Sequence, residues 1–426
     1  MHQDTLKPTG ASAFAGLGRE RLMLIADGLA VALAMSLPWS TSGTGILVVL
    51  WLVAVMPTIE PAGLRREALT FAGGLPVLLV LLALLGMLWA DVPFNERWHG
   101  LDSFLKLLVI PLLMFHFGHS ENGAWVLKGF LAACGVLLVY SWWLLFFPGT
   151  LWAKPGSIGV PVKDYISQSG MFTICVAATM ELAVRAWDKS RRDLALAYAV
   201  LAVAFAANIF YISTSRTGLV FLPVLLLLFG FKRLNWKGAL GLVAALIVLI
   251  AVAWQSSGLF RQRVNTVLEE IRIYRTTNAR TSAGERLEFW KKSLEFIAAA
   301  PLIGHGTGTI REQFSRAATA DGATSALVTT NPHNQTLAIG IQLGLLGIAV
   351  LFAMWIAHLL LFRGEGMAAW LGLVIVVQNI VGSLFNSHLF DFTQGWGYVI
   401  GVGIAGGVVA ARSRAANNVG EKRPVP

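Results

Sequence analysis

The sequence predicts an all-α membrane protein, a polytopic bundle of about twelve spans with one sizeable helical loop outside the bilayer. Three observations predict it. Hydrophobic residues make up 56% of the chain. Charged residues make up 13%, against about 25% in a soluble domain. The apolar residues also come in long runs instead of a one-sided stripe, and a helix apolar all round needs lipid or a large protein interior about it. Mean hydropathy of +0.67 agrees.

Crossing a bilayer core takes about 20 residues. The runs at 75–90, 124–147, 194–212 and 337–361 are the clearest candidates. The full set of expected spans is 23–38, 45–58, 71–90, 103–118, 124–147, 169–187, 194–213, 217–231, 238–255, 335–361, 367–385 and 394–411. This divides the chain into a bundle over 1–255, with about nine spans, a helical loop over 256–334, three closing spans over 335–411 and a polar, frayed tail over 412–426. The first 22 residues are polar and mixed, so no cleavable signal peptide is read there.

Lys and Arg accumulate in cytoplasmic loops. With both termini inside, eighteen of them fall on that side, against Arg97, Lys154, Lys163 and Arg216 in the short loops opposite. The loop 256–334 is left out of this comparison because long loops cross largely regardless of charge. The net charge of +10 is therefore read as a topology signal, with no nucleic-acid partner. Cys134 and Cys175 each lie inside an apolar run, as small buried hydrophobes. The loop 256–334, the turn at 213–218 and the turn at 386–394 all fall on the outer face.

The loop carries two helical patterns. Phe260, Val264, Val267, Leu268, Ile271 and Tyr274 recur at helical spacing among charges, as in an amphipathic helix lying on the membrane or on the bundle. Ser282-Ala283-Gly284-Glu285 has the form of a capping box. Leu287, Trp290, Leu294 and Ile297 follow it, and Pro301 ends the run.

Four positions carry chemistry. Arg216 sits in Ser213-Thr214-Ser215-Arg216-Thr217-Gly218. It can snorkel at a membrane boundary. With hydroxyls on either side of it and no acid in the turn, it also suits a phosphate. Arg286 lies near the start of the capped helix, where a cation is out of place unless a carboxylate pairs it or an anion binds there. His333 lies in Asn331-Pro332-His333-Asn334, with Asn331 as the expected cap of the next span and Pro332 at its first position. It is either structural or a neutral base for a hydroxyl proton. Asp391 can orient His333, pair an arginine or sit as a solvated turn residue. The run Gly304-His305-Gly306-Thr307-Gly308 follows a helix and not a strand, so it is no dinucleotide fingerprint. Neither a Walker sequence nor an Asp-x-Asp metal motif occurs in the chain.

The Ser215-Arg216-Thr217-Gly218 turn, the stretch from Arg286-Leu287-Glu288-Phe289-Trp290 to Pro301-Leu302-Ile303-Gly304-x-Gly306-x-Gly308, and Pro332-His333-Asn334 together resemble the O-antigen ligase and polymerase superfamily of bacterial envelopes. The resemblance covers roughly residues 200–400. It implies a GT-C-like glycosyltransferase of the bacterial inner membrane with a periplasmic site and no metal or other cofactor. It also implies transfer of a glycan from undecaprenyl pyrophosphate, by a ligase to lipid A–core, by a polymerase to a second lipid-linked glycan, or by a related enzyme to a protein side chain. In that reading Arg216 and Arg286 hold the diphosphate, His333 is the base, and Asn334 and Asp391 join the substrate site.

Of these, ligase is preferred, since the loop is of moderate length and no large soluble C-terminal domain follows. The rival class is a lipid or solute transporter. It is disfavoured because mid-span charges are few and no paired interrupted spans are visible. A membrane scaffold without chemistry is the third reading.

Overall fold

The computed structural model describes residues 18–148, 159–277, 281–320 and 328–421. Its regular structure is helical throughout the described residues. The first half comprises α1 (Arg19–Ser36), α2 (Thr41–Val55), α3 (Pro61–Ala68), α4 (Phe71–Gly86), α5 (Phe94–Leu105), α6 (Val109–Phe117), α7 (Gly123–Phe146), α8 (Tyr165–Asp188) and α9 (Arg192–Tyr211). The second half comprises α10 (Arg216–Arg233), α11 (Trp236–Ser256), α12 (Gly258–Thr277), α13 (Ser282–Ala299), α14 (Ile310–Ala320), α15 (Gln335–Leu361), α16 (Met367–Ser383) and α17 (Phe392–Glu421).

All twelve expected spans fall on helices, yet among the described residues only eight helices are long and apolar enough to cross a bilayer. The bent pair α3–α4, which turns through 84°, makes a ninth if counted as one span. The other shortfalls have simple causes. Arg19, Glu20, Arg21 and Asp27 load α1 with charge, and Arg216, Lys232 and Arg233 do the same to α10. α16 has 17 residues. Of α11, Ala253 alone is buried. An apolar helix of 21 residues therefore turns nearly its whole surface outward, where lipid is the fitting solvent.

Boundaries moved where side chains compete for backbone groups. α13 is capped by Thr281, whose hydroxyl accepts from the Gly284 amide at 3.0 Å. Ser282 is already helical, so the expected Ser282–Glu285 box does not form and Arg286 lies one turn inside the helix. α15 is capped by Asn334, whose side chain accepts from the Leu337 amide at 3.1 Å. Asn331 is not the cap, because His333 between them has φ +55 and cannot belong to a right-handed helix. α17 continues past Arg412 to Glu421. Arg414 anchors that extension on Glu67 (2.6 Å), so the expected frayed tail is helical there.

α15 is broken at Gly344, with φ 63 and ψ −159. The loop 301–308 fills the break. The amides of Leu345 and Leu346 donate to Pro301 and Leu302 carbonyls, and those of His305 and Gly306 donate to Ile341 and Gln342 carbonyls. Every one of these backbone groups would otherwise be unpaired in an apolar setting. Thr307 reaches the end of α4, donating from Oγ1 to Ala83 O at 2.6 Å. The glycine motif is thus a backbone joint between the loop, α4 and the two halves of α15. Gly306 (φ +95) lies so close to Ala90 that a Cβ would stand 2.5 Å from its Cα. Gly306→Ala is expected to cost about 1–3 kcal/mol, read as a lower midpoint of thermal unfolding in detergent.

Two buried carboxylates within the bundle are paired. Glu181, fully buried, accepts from Arg185 (2.6 Å) and from Arg233. Asp27 is held by His116 (2.8 Å), Ser120 and Asn122. Paired ions of this kind clamp helices and do not mark a conduction path.

Candidate active site

The loop helices α12 and α13 dock on the starts of α8 and α10 and the entrance to α15, and there the candidate residues meet. Arg216 is the first residue of α10. The three hydroxyls that precede it are buried and engaged within the fold. Ser213 donates to Asn208 Oδ1 (3.1 Å), Thr214 donates to Phe210 O (3.0 Å), and Ser215 caps α10 while bonding Ser169 Oγ at 2.6 Å. The turn is a buried scaffold that fixes where the Arg216 guanidinium leaves the bundle.

The partner absent from that turn comes from the loop. Glu270 of α12 accepts from Arg216 Nη2 at 2.7 Å. Its other oxygen accepts from the Ala283 amide at 3.2 Å, in the first turn of α13. A carboxylate therefore bridges a guanidinium and a helix N-terminus, a pairing favoured by charge and by the dipole. The expectation that Arg216 has no acidic neighbour holds for the turn and fails for the fold, because Glu270 is 54 residues away in sequence.

Arg286 is half-buried and has no ion pair among the described residues. Burial, then the nearby Arg216 guanidinium, pull its pKa below the ordinary value, with Tyr165 and Glu270 opposing. Two guanidiniums that feel each other in a partly dry setting favour an anion between them. One helical turn on, Phe289 stacks on the His333 ring, with centroids 6.2 Å apart and planes at 27°. α13 thus brings Arg286 and a ring platform to His333 together.

His333 is held from three sides. Its backbone amide donates to Asn331 Oδ1 (2.8 Å), which supports the left-handed backbone. The ring's Nδ1 bonds Asn386 Oδ1 (2.9 Å). Asn386 Nδ2 donates to Asp391 Oδ2 (2.7 Å). That donation fixes the amide's orientation, so Asn386 Oδ1 accepts and His333 Nδ1 carries the proton. Nε2 then holds the lone pair. Burial pushes the His333 pKa below 6.5. Arg286 adds to this, while Asn386 and Glu285 oppose it.

Asp391 is partly buried. Burial raises its pKa to about 6, with Lys106 opposing and Asp164 adding. Lys106 Nζ donates to the carbonyls of Phe390 (3.0 Å) and Asp391 (3.3 Å), pinning the loop between α16 and α17. Asn334 is used by the fold at both ends of its amide, capping α15 and donating to Leu384 O at 3.3 Å.

Sequence reasoning missed Glu270 and Asn386 as parts of this cluster. Nothing in a single sequence links them to Arg216 and His333, since each acts across a long stretch of chain. Among the described residues, no group of three or more His, Cys, Asp or Glu side chains is placed to hold a metal ion. Beside the cluster, a largely apolar cavity of about 230 Å³ lies between α1, α7, α8, α16 and α17. Leu37, Phe130, Met171 and Ile400 line its walls, and Ser167 and His388 supply polar lining.

The chain is similar to an uncharacterized protein of Haemophilus influenzae, 25% identical over 258 residues. That match covers 58% of this chain and 60% of the relative, so the chain spans less than two thirds of that protein's length. Residues 201–352 match the family model described as O-antigen ligase. Arg216, Arg286 and His333 all lie within the residues that match it.

Proposed function

We propose that this protein is an O-antigen ligase of the bacterial inner membrane, moving a glycan from undecaprenyl pyrophosphate to a sugar hydroxyl of lipid A–core. The observation that carries this reading is that α13 holds Arg286, which has no ion pair among the described residues, within electrostatic range of Arg216, and one turn on stacks Phe289 on a His333 ring whose pKa burial lowers. In this reading the helices form a GT-C-like bundle with both termini cytoplasmic and this site facing the periplasm. The cavity between α1, α7, α8, α16 and α17 suits a hydrocarbon tail.

In the proposed step the acceptor hydroxyl attacks the anomeric carbon as its proton passes to His333 Nε2. The new C–O bond forms while the bond from that carbon to the diphosphate oxygen breaks. The electron pair stays on the terminal phosphate, where Arg216 and Arg286 offset the growing charge. Attack from the face opposite the leaving group inverts the anomeric centre. A trapped covalent glycosyl-enzyme would contradict that single displacement.

Asn386 and Asp391 act through His333, as positioning residues. Asn334 contributes by capping the helix behind it. Asn386→Leu removes the acceptor for Nδ1–H and is expected to slow transfer about 10²-fold, less than loss of the base. Its pH profile is expected to change shape as the ring loses its fixed tautomer, a response that mere loosening of the loop would not give. The proposed function is tested by incubating purified protein with a lipid-linked glycan and, separately, lipid A–core, a second lipid-linked glycan and a peptide. Product on lipid A–core alone is the expected result. Product on either other acceptor moves the assignment to polymerase or protein O-oligosaccharyltransferase, and no product with any acceptor favours transport.

A further inference from the structure

One face of α12 carries Arg263, Val267, Glu270 and Tyr274, at steps of four, three and four residues. The last two contact the candidate site from this face. Glu270 bridges Arg216 and the start of α13, and the Tyr274 ring packs on Gly284 so closely that a Cβ there would collide with it. Arg263 lies two turns earlier on the same face, about 10 Å along the axis. Its guanidinium stands over the Tyr165 ring, 5.0 Å from the centroid. Tyr165 opens α8 and lies within electrostatic range of Arg286.

Arg263 has no ion pair among the described residues, and its Nε is buried there without a hydrogen-bond partner. A tyrosine face offsets part of a guanidinium's charge and leaves its edge free for an anion. Arg216 is balanced by Glu270. Arg263 and Arg286 are therefore the two guanidiniums around Tyr165 that form no direct ion pair with a carboxylate among the described residues, Glu270 acting on Arg286 only from a distance. A diphosphate offers one anionic group to each.

We infer that Arg263 is a donor-binding residue, the partner of Arg286 across Tyr165, and that it reads the second phosphate of a lipid-linked diphosphate. This rests on the proposed function, since it assumes that Arg286 meets the first phosphate. It adds a specificity: the site distinguishes a polyprenyl diphosphate from the monophosphate.

The test measures binding of undecaprenyl pyrophosphate and of undecaprenyl phosphate to the full chain in lipid nanodiscs. The comparison is wild type against Arg263→Gln and Arg261→Gln. Arg261 lies on the same helix but donates to the carbonyls of Trp254 and Gln255, so its variant controls for loss of helix charge. The wild type and Arg261→Gln are expected to prefer the diphosphate by about tenfold or more. Arg263→Gln is expected to bring the ratio near one while monophosphate affinity changes little, which also shows that the variant is folded. A preference kept in Arg263→Gln overturns the inference and leaves the proposed function standing. A wild type with no preference overturns the diphosphate site itself and this inference with it. A variant that binds neither lipid while Arg263→Lys restores both without the preference also overturns it, since Arg263 would then supply only general charge.

Discussion

His333→Ala is expected to lower glycan transfer by about 10²- to 10⁴-fold, the range associated with a positioned general base. The loss should fall on turnover more than on donor affinity, because in the proposed step the imidazole meets the acceptor hydroxyl and the arginines meet the diphosphate. The pH dependence follows from the same surroundings. Burial and Arg286 push the His333 pKa below 6.5. The base is active when neutral, so lowering its pKa keeps it active to lower pH. The acid limb of the rate profile should therefore lie below pH 6.5, and activity should fall only as pH drops through that limb. A limb above 6.5 would mean that another group sets it, or that the ring is more exposed than its contacts with Phe289 and Asn386 indicate.

Arg286→Ala and Arg216→Ala are expected to reduce transfer by about 10²- to 10³-fold each, the cost of losing one preorganised partner of a developing oxyanion. The two differ in kind. Arg286 has no ion pair among the described residues, so its removal should cost function with little change in thermal stability. Arg216 holds Glu270, so its removal also loosens α12 and should lower the unfolding midpoint. Combined, the two losses should amount to less than their product, because in the proposed step both groups act on one diphosphate. Steady-state kinetics with melting curves on the three variants checks this. Unchanged turnover in both single variants would remove the arginines from the site.

The parts of this account legible in the sequence were those with a local cause. Long apolar runs gave α4, α7, α9 and α15, because a span must satisfy its own backbone in lipid. The net count of spans was less secure where charge enters a helix, as in α1 and α10. α14 was not foreseen. The break in α15 was also hidden, since Gly344 lies in an apolar stretch and its cause is the loop 301–308 folding back on it.

The site was legible in its charged and aromatic heads and not in their supports. Arg216, Arg286, His333 and Asp391 drew notice because ionisable groups beside spans need a reason. The hydroxyls around Arg216 misled, being a buried scaffold instead of ligand donors. Asp391 reaches His333 only through Asn386, and Arg216 is answered by Glu270 from another helix. Such pairings depend on how α12 and α13 lie across the bundle, which no local pattern encodes.

The most direct measurement is an experimental structure of the full chain in nanodiscs with undecaprenyl pyrophosphate bound. The account predicts phosphate oxygens within about 3 Å of the Arg216 and Arg286 guanidiniums, with Glu270 displaced from Arg216 and His333 Nε2 open toward the terminal phosphate. A lipid whose diphosphate sits at the opposite end of the bundle, or beyond reach of His333, would contradict it.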